Sequence, residues 1–496
     1  MSEAFDLSKL KKSSVRGGAI TLVSQAASVI LQLASTIILA RMLTPDDYGV
    51  MGMVLSFVAL AALFKDLGLS SAAIQKESLT FAQQSNLLWV NALFGLALTL
   101  LFAAAAPLVA WFFGRPELLG MTWVLSITFF LTGISAQHNA MMVRKLHFGR
   151  QAIVNVASIS TTFVTSFLLA GLGYGYWALG WGYVAGAIAR TGLTWTLSPF
   201  HPSGWKRGVG TMEMIRFGAN VTGFNFANYF SRNLDNVLIG KFFGADALGV
   251  YGRAYQLMLF PVQNLLGPMN AVTYPALSRL QQNEQKWKSY HLKSIKVLAS
   301  MTMPFAAWAY LIATPLVLIA LGSQWREVAT IFQILALVAF IQPCLSALGM
   351  VLLSRGKSRI YFRLGVFNAA IYSIGFLLGS LWGVHGVAYS FVITTYLILF
   401  PSLKVAYWGT EVRVLNFFEA TAFPALASVG AVLFTFALSA LPTLTPILTG
   451  GGWPELIGRT ASVAMFGLAT VCLTKSGRAT WREFRTLFLE LSRSRS

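Results

Sequence analysis

Residues 16–52 read RGGAITLVSQAASVILQLASTIILARMLTPDDYGVMG and combine a long apolar run with a short polar turn. No charged residue occurs at the 24 positions between Arg16 and Arg41. A transmembrane helix needs roughly 20 mainly apolar residues. The stretch therefore predicts one helix that crosses a membrane, a turn near Thr44, and the start of a second helix.

Apolar runs of this length recur along the 496 residues, with short polar breaks between them. Hydrophobic residues make up 56% of the chain and charged residues only 11%, far from the average of soluble domains. No soluble domain is expected. We predict an all-α polytopic membrane protein of about fourteen transmembrane helices, at residues 16–40, 47–69, 84–112, 117–140, 151–171, 176–198, 213–239, 247–275, 293–320, 328–352, 360–381, 385–407, 417–441 and 456–474.

Lysine and arginine residues alternate between the predicted loops. With both termini in the cytoplasm, 29 of the 37 lie in cytoplasmic segments and four in the opposite loops. Cytoplasmic loops retain positive charge in membrane proteins, and an error of one helix would scramble the alternation. The same pattern accounts for the formal net charge of +20. Nucleic acid is therefore not expected as a partner, whereas membrane lipids with anionic headgroups are.

The opening stretch has a second copy 200 positions later. Eight of the 37 aligned positions are identical, and they pair Arg16 with Arg216, Gly18 with Gly218, Ala19 with Ala219, Ala27 with Ala227, Asp46 with Asp246, Gly49 with Gly249, Val50 with Val250, and Gly52 with Gly252. Helices one and seven are therefore expected to be equivalent. An offset of six helices preserves their direction, so parallel repeats should enclose a cavity between them.

The repeat predicts two pseudo-symmetric six-helix lobes followed by a terminal pair of helices. The predicted segments are a cytoplasmic N-terminal segment at 1–15, an N-lobe at 16–198, a cytoplasmic linker at 199–212, a C-lobe at 213–407, helices thirteen and fourteen at 417–474, and a basic cytoplasmic tail at 475–496.

Three motifs carry a family resemblance. They are RMLTPDDYG at residues 41–49, FKDLGLSSAAIQK at 64–76, and DNVLIGKFFG at 235–244. Their order resembles that of the Wzx-type polysaccharide transporters of the multidrug/oligosaccharidyl-lipid/polysaccharide exporter superfamily, in particular the exopolysaccharide flippases of the colanic-acid type. The resemblance covers nearly the whole chain, from about residue 8 to residue 475.

The resemblance implies a V-shaped, two-lobed transporter in the bacterial inner membrane, and not an enzyme. Its implied cargo is an undecaprenyl-diphosphate-linked oligosaccharide repeat unit, moved from the cytoplasmic to the periplasmic leaflet by alternating access for exopolysaccharide or lipopolysaccharide biosynthesis. A polysaccharide polymerase and glycosyltransferases are further candidate partners. The motifs do not specify the sugar.

Charged side chains inside the predicted helices are the main pointers to a transport site, because one at the bilayer centre costs about 2.5 to 3.5 kcal/mol on insertion scales. Arg232 and Asp235 lie three residues apart on one face of helix seven. Arg232 is a candidate for binding a diphosphate or an acidic sugar, and Asp235 for releasing it. A structural ion pair between packed helices is the alternative.

Further cations extend this candidate site. Arg190 in helix six and Arg253 in helix eight are suited to bind phosphate bidentately, or else extend to the nearer interface. Arg16 and Arg216 are repeat-related candidates at the cytoplasmic mouth, where retention of positive charge explains them equally well.

Helix seven is also rich in uncharged polar residues, among them Asn225 and Asn228. Lipid would leave their hydrogen-bonding groups unsatisfied, so one side of this helix should line water or protein. Asn225 and Asn228 are therefore candidates for hydrogen bonds to sugars. Close helix packing is the competing explanation.

The sequence contains no glycine-rich phosphate-binding loop, so we expect neither ATP nor another cofactor, nor a metal. The driving force is left open between membrane potential, H+ and Na+, with Asp235 and Asp66 as the expected intramembrane titrating groups. For Asp66 the alternative is an interfacial anchor formed with Lys65 at the end of helix two. A cation-coupled multidrug antiporter would require carboxylates in its cavity, and a membrane-embedded polysaccharide enzyme would normally have a sizeable periplasmic loop. The cations near helices six to eight and the short external loops favour a flippase over both.

Overall fold

The computed structural model describes residues 7–62, 69, 79–208, 211–479 and 482, and at 7–19, 22, 60–62, 211, 213–232, 260–265, 268 and 271 it describes the backbone alone. These residues form helices and turns, with no strand among them. The helices are α1 (Leu7–Met42), α2 (Pro45–Ala62), α3 (Phe81–Ala104), α4 (Ala106–Phe113), α5 (Glu117–Arg144), α6 (Phe148–Gly171), α7 (Tyr176–Leu197), α8 (Thr211–Leu280), α9 (Glu284–Ala320), α10 (Arg326–Ser354), α11 (Ser358–Gly379), α12 (Gly383–Ala406), α13 (Val414–Ser439), α14 (Thr445–Thr449) and α15 (Gly452–Leu473).

Nine stretches within these described ranges are long and apolar enough to cross a membrane. One of them, Ser358–Ala406, contains both α11 and α12. The other predicted spans fall on α2, α7 and α8, although the end of the span predicted at 47–69 lies outside the described residues. The all-α, multi-pass membrane fold is thus confirmed, whereas the number fourteen stays a prediction.

Two breaks in the helices have a local cause. Gly244 interrupts α8 with a φ of +85°, a backbone conformation that glycine adopts at little cost. This break separates predicted helices seven and eight. The span predicted at 84–112 is in fact two helices, because α3 ends before Ala105 and Pro107 occupies the first turn of α4. Proline lacks the N–H that a longer helix would require at that position.

The chain divides into two compact units, Met1–Gly249 and Val250–Ser496. The first unit includes the part of α8 before its break at Gly244. The repeat, in contrast, assigns this part of α8 to the C-lobe. The predicted lobe boundaries therefore stay a prediction.

Small residues allow close helix packing in the first unit. There α3 packs against α5, and α6 packs against α1 and α7. An added Cβ at Gly95 of α3 would lie 2.7 Å from the carbonyl oxygen of Phe129 on α5. Across the α6–α7 contact, the hydroxyl of Ser158 donates to the carbonyl of Gly186 at 2.9 Å. Such backbone approach and hydrogen bonding stabilise helix pairs that lipid surrounds.

In the second unit, a proline and an arginine join the C-terminal helices to α9. Pro315 has no N–H, so the carbonyl of Leu311, one turn earlier in α9, lacks its usual partner. The guanidinium of Arg459 on α15 donates to this carbonyl, donates to the carbonyl of Leu448 at 2.9 Å, and pairs with Glu455 at 2.7 Å. Arg459 therefore replaces the hydrogen bond that Pro315 removes.

We expect Arg459→Met to weaken the attachment of α15, because it leaves the Leu311 carbonyl and the Glu455 carboxylate without their shared partner. Removing one member of a buried ion pair costs about 3 to 5 kcal/mol. The measurement is the thermal unfolding of detergent-solubilised protein. Arg459→Lys should be intermediate, since an ammonium cannot present the same fork of donors, and an unfolding temperature equal to that of the unaltered protein in Arg459→Met would contradict this account.

Candidate functional site

The predicted transport residues are described to different extents. Asp235 is 2% exposed, and its carboxylate accepts the backbone N–H of Asn236 at 2.9 Å. The side chain of Arg232 lies outside the described residues, so the pairing of the two stays a prediction. The same holds for the side chains of Arg16, Arg216, Asn225 and Asn228, and for Asp66 altogether.

The two remaining candidate cations have described surroundings. Arg190 is exposed on α7, in the half that the charge pattern assigns to the cytoplasm. Arg253 is partly buried, and its guanidinium donates to the side-chain oxygen of Gln256 at 2.6 Å. The proposed contacts of Arg190 and Arg253 with phosphate stay predictions.

A more definite arrangement centres on the turn before α2. The backbone N–H of Asp47 donates to the hydroxyl of Thr44 at 3.2 Å, and the backbone N–H of Thr44 donates to the Asp47 carboxylate at 2.9 Å. The Thr44 hydroxyl also donates to that carboxylate at 2.8 Å. This reciprocal cap satisfies N–H groups at the start of the helix, and Pro45 suits the first helical position. The motif TPDD therefore fixes where α2 begins.

Charges and aromatic rings connect this helix start to α4 and α8. Asp46 pairs with Arg115, just after α4. The ammonium of Lys241, on α8, donates to the carbonyl of Phe112 and lies 5.0 Å above its ring. Phe57 on α2 meets the same ring edge-on, with centroids 5.9 Å apart. Lys241 thus places a positive charge at the negative end of α4.

A close helix contact at this end is reciprocal. An added Cβ at Gly49 would lie 2.6 Å from the Cα of Ala245 and closer still to its carbonyl group. An added Cβ at Gly249 would lie 2.8 Å from the carbonyl carbon of Pro45 and closer still to its oxygen. Residues 45 and 49 align with residues 245 and 249 in the repeat. Each copy of the motif therefore places its glycine against the start of the other copy.

This contact was missed by sequence reasoning, which used the glycines only as evidence of repetition. The missed signal is that both copies have glycine at the same position, Gly49 and Gly249. The residue four positions earlier is compact in each copy, Pro45 in the first and Ala245 in the second. The contact lies at the end of the first unit that the charge pattern assigns to the periplasm. Any motion that separates the start of α2 from residues 245–249 of α8 must break it.

Comparisons with known proteins agree with the fold and the motifs. The family model described as "Polysaccharide biosynthesis protein" matches residues 38–330. The chain is 25% identical over 363 residues to "Teichuronic acid biosynthesis protein TuaB" of Bacillus subtilis (strain 168), covering 71% of this chain and 74% of that protein. It is 22% identical over 413 residues to "Lipopolysaccharide biosynthesis protein WzxC" of Escherichia coli (strain K12), covering 80% and 82%.

A solved structure extends the likeness of fold over nearly the whole chain. The fold is similar to that of "Lipid II flippase MurJ, inward closed conformation", with a TM-score of 0.73 and 14% identity, covering 92% of this chain and 99% of that chain. At this identity the likeness concerns the fold alone.

We expect Gly49→Ala and Gly249→Ala each to lower the thermal stability of the purified protein, because each added methyl forces two helix starts apart. The double variant should lose less than the sum of the two, since both substitutions disrupt one contact. Gly252→Ala is the matched control, because an added Cβ there meets nothing within 4 Å. Equal unfolding temperatures for Gly49→Ala and Gly252→Ala would contradict the close contact.

Proposed function

Because the chain belongs to the polysaccharide biosynthesis protein family, we propose that it is a flippase for an undecaprenyl-diphosphate-linked oligosaccharide repeat unit. It moves this cargo from the cytoplasmic to the periplasmic leaflet for exopolysaccharide or lipopolysaccharide biosynthesis. The observation that carries the proposal is the family match over residues 38–330, which includes the capped turn, Asp235 and the reciprocal glycine contact. The MurJ-like fold supplies a scaffold suited to the task.

The chemistry of the cargo gives roles to the candidate residues. The diphosphate is anionic, and a guanidinium can bind two of its oxygens at once. Arg190 is exposed and so accessible to such a group, and Arg232, Arg253, Arg16 and Arg216 extend the candidate set. Asn225 and Asn228 are proposed to donate to sugar hydroxyls. Together these residues would bind head group and sugar while the lipid tail stays in the bilayer.

The driving force is proposed to be the membrane potential, with or without H+ or Na+. Moving one negative charge outward from a negative interior gains about 2.3 kcal/mol per 100 mV, and a diphosphate with roughly two charges gains about twice that. Asp235 is the proposed coupling group within the described residues, because its carboxylate is buried. Asp66 is the second candidate.

We propose that the protein lies in the bacterial inner membrane, as the family resemblance implies. The charge pattern supports an orientation with both termini in the cytoplasm. There glycosyltransferases that act before the flipping step and a polysaccharide polymerase that acts after it are its proposed functional partners.

A cation-coupled multidrug antiporter is the second candidate function, and the buried carboxylate of Asp235 is the observation that favours it. The two proposals differ in the sign of the cargo. Export of a lipophilic cation that depends on Asp235, together with normal surface polysaccharide in a deletion strain, would favour the antiporter.

The flippase proposal is tested in a host that lacks its own copy of this protein. In this deletion strain, lipid-linked repeat units should remain facing the cytoplasm. When Arg232→Ala or Asp235→Ala is expressed in the strain, it should restore less than about a tenth of the surface polysaccharide that the unaltered protein restores, since each substitution removes a charge from the proposed path. Lys286→Ala is the matched control, because Lys286 is exposed before the predicted membrane part of α9.

Two outcomes would contradict the proposal at different levels. Full activity of both Arg232→Ala and Asp235→Ala, with normal amounts of inserted protein, would show that this part of α8 does not belong to the transport site. Repeat units that reach the periplasm in the deletion strain would remove the flippase function itself.

A further inference from the structure

An apolar groove of about 760 Å3 lies between α1 and α6 in the first unit. Its walls include Ile20, Val23, Ala27, Gly149, Ile153 and Ala157. Among the lining residues whose side chains the structure describes, only Ser24 carries a hydroxyl, and this hydroxyl donates to the carbonyl of Thr21 at 3.0 Å. The groove therefore presents hydrocarbon to its occupant, and its volume is within the range of about 300 to 1,000 Å3 usual for ligand sites.

The residues of the groove differ in size along its walls. Glycine and alanine at positions 27, 149 and 157 leave space at the base, while Val23 and Ile153 are 70% and 54% exposed. The lining positions advance along α1 from 20 to 27 and along α6 from 149 to 157, which corresponds to roughly 10 to 12 Å of helix. This shape suits a short length of one hydrocarbon chain.

Positive charge lies at one end of the groove, the end that the charge pattern assigns to the cytoplasm. Lys145 is exposed in the turn before α6, and Arg150 follows the lining residue Gly149. The guanidinium of Arg150 donates to the carbonyl of Leu197 at 2.8 Å, which holds the cation at the end of α7 while leaving other N–H groups available. The groove thus has an apolar body and a cationic end.

A nearby histidine does not add to this charge at neutral pH. Partial burial, together with the positive charges of Arg150 and Lys145, lowers the pKa of His147 below its usual value. The charge at this end therefore comes from permanent cations. It persists across the physiological pH range.

We infer that this groove binds the first isoprene units of the cargo's polyprenyl tail, with the diphosphate directed towards Lys145 and Arg150. The inference rests on the proposed function and deepens it. A polyprenyl diphosphate carries one chain per head group, which fits a groove bounded by two helices, whereas a glycerophospholipid carries two chains. Since the tail leaves lipid and not water, the gain comes from shape and charge rather than from the hydrophobic effect.

The binding test uses purified full-length protein in nanodiscs of zwitterionic lipid, titrated with undecaprenyl diphosphate. Ala27→Trp and Ala157→Trp fill the groove and should each weaken binding by about tenfold. Ala26→Trp is the matched control on α1, because Ala26 is exposed and lies outside the groove lining. Phosphatidylglycerol in tenfold excess should not displace the polyprenyl lipid.

A second variant keeps the test informative where a tryptophan prevents folding. Lys145→Glu leaves the groove walls intact and should weaken binding severalfold, with a smaller dependence on salt than the unaltered protein shows. Equal affinities for the filled variants and Ala26→Trp, or displacement by phosphatidylglycerol, would overturn the groove assignment alone. An unaltered protein that binds no undecaprenyl diphosphate would instead contradict the proposed function.

Discussion

The need to satisfy every backbone N–H and C=O within lipid constrains this structure more than any single side chain. In the hydrocarbon region only helices meet that need from within one segment. Three interruptions or helix starts among the described residues have an identifiable partner or residue type. Arg459 donates to the carbonyl that Pro315 leaves open, Thr44 and Asp47 cap the start of α2, and Gly244 adopts a conformation that other residues disfavour.

Local sequence patterns were sufficient for most of the fold. The apolar runs predict the helices because a transmembrane helix is identified by roughly 20 consecutive apolar residues, a signal contained in one stretch of sequence. The turn near Thr44 was predicted for the same reason, and its cap is completed within four residues. The break between α3 and α4 was missed, although Pro107 is the local signal for it.

Contacts between distant residues could not be predicted in the same way. Arg459 meets Leu311 across 148 positions, and Lys241 meets Phe112 across 129 positions. The sequence shows that these charges lie within or beside apolar segments, but not which carbonyl each one meets. For the transport site, burial of the Asp235 carboxylate is described by the structure, while the roles of Arg232, Arg190 and the other candidate residues depend on a cargo that the sequence does not specify.

The contact of Gly49 with Ala245, and of Gly249 with Pro45, has the pattern of a homodimer interface contained in one chain. In such an interface one surface meets its own copy, so residue i contacts residue j and j contacts i. Two separate half-length chains could form the same contact, and a substitution at the glycine would then change it twice. Because the two copies are separate positions of one chain, each can differ without changing the other: residues 44–46 read TPD and residues 244–246 read GAD, yet both copies have glycine at the contact, Gly49 and Gly249.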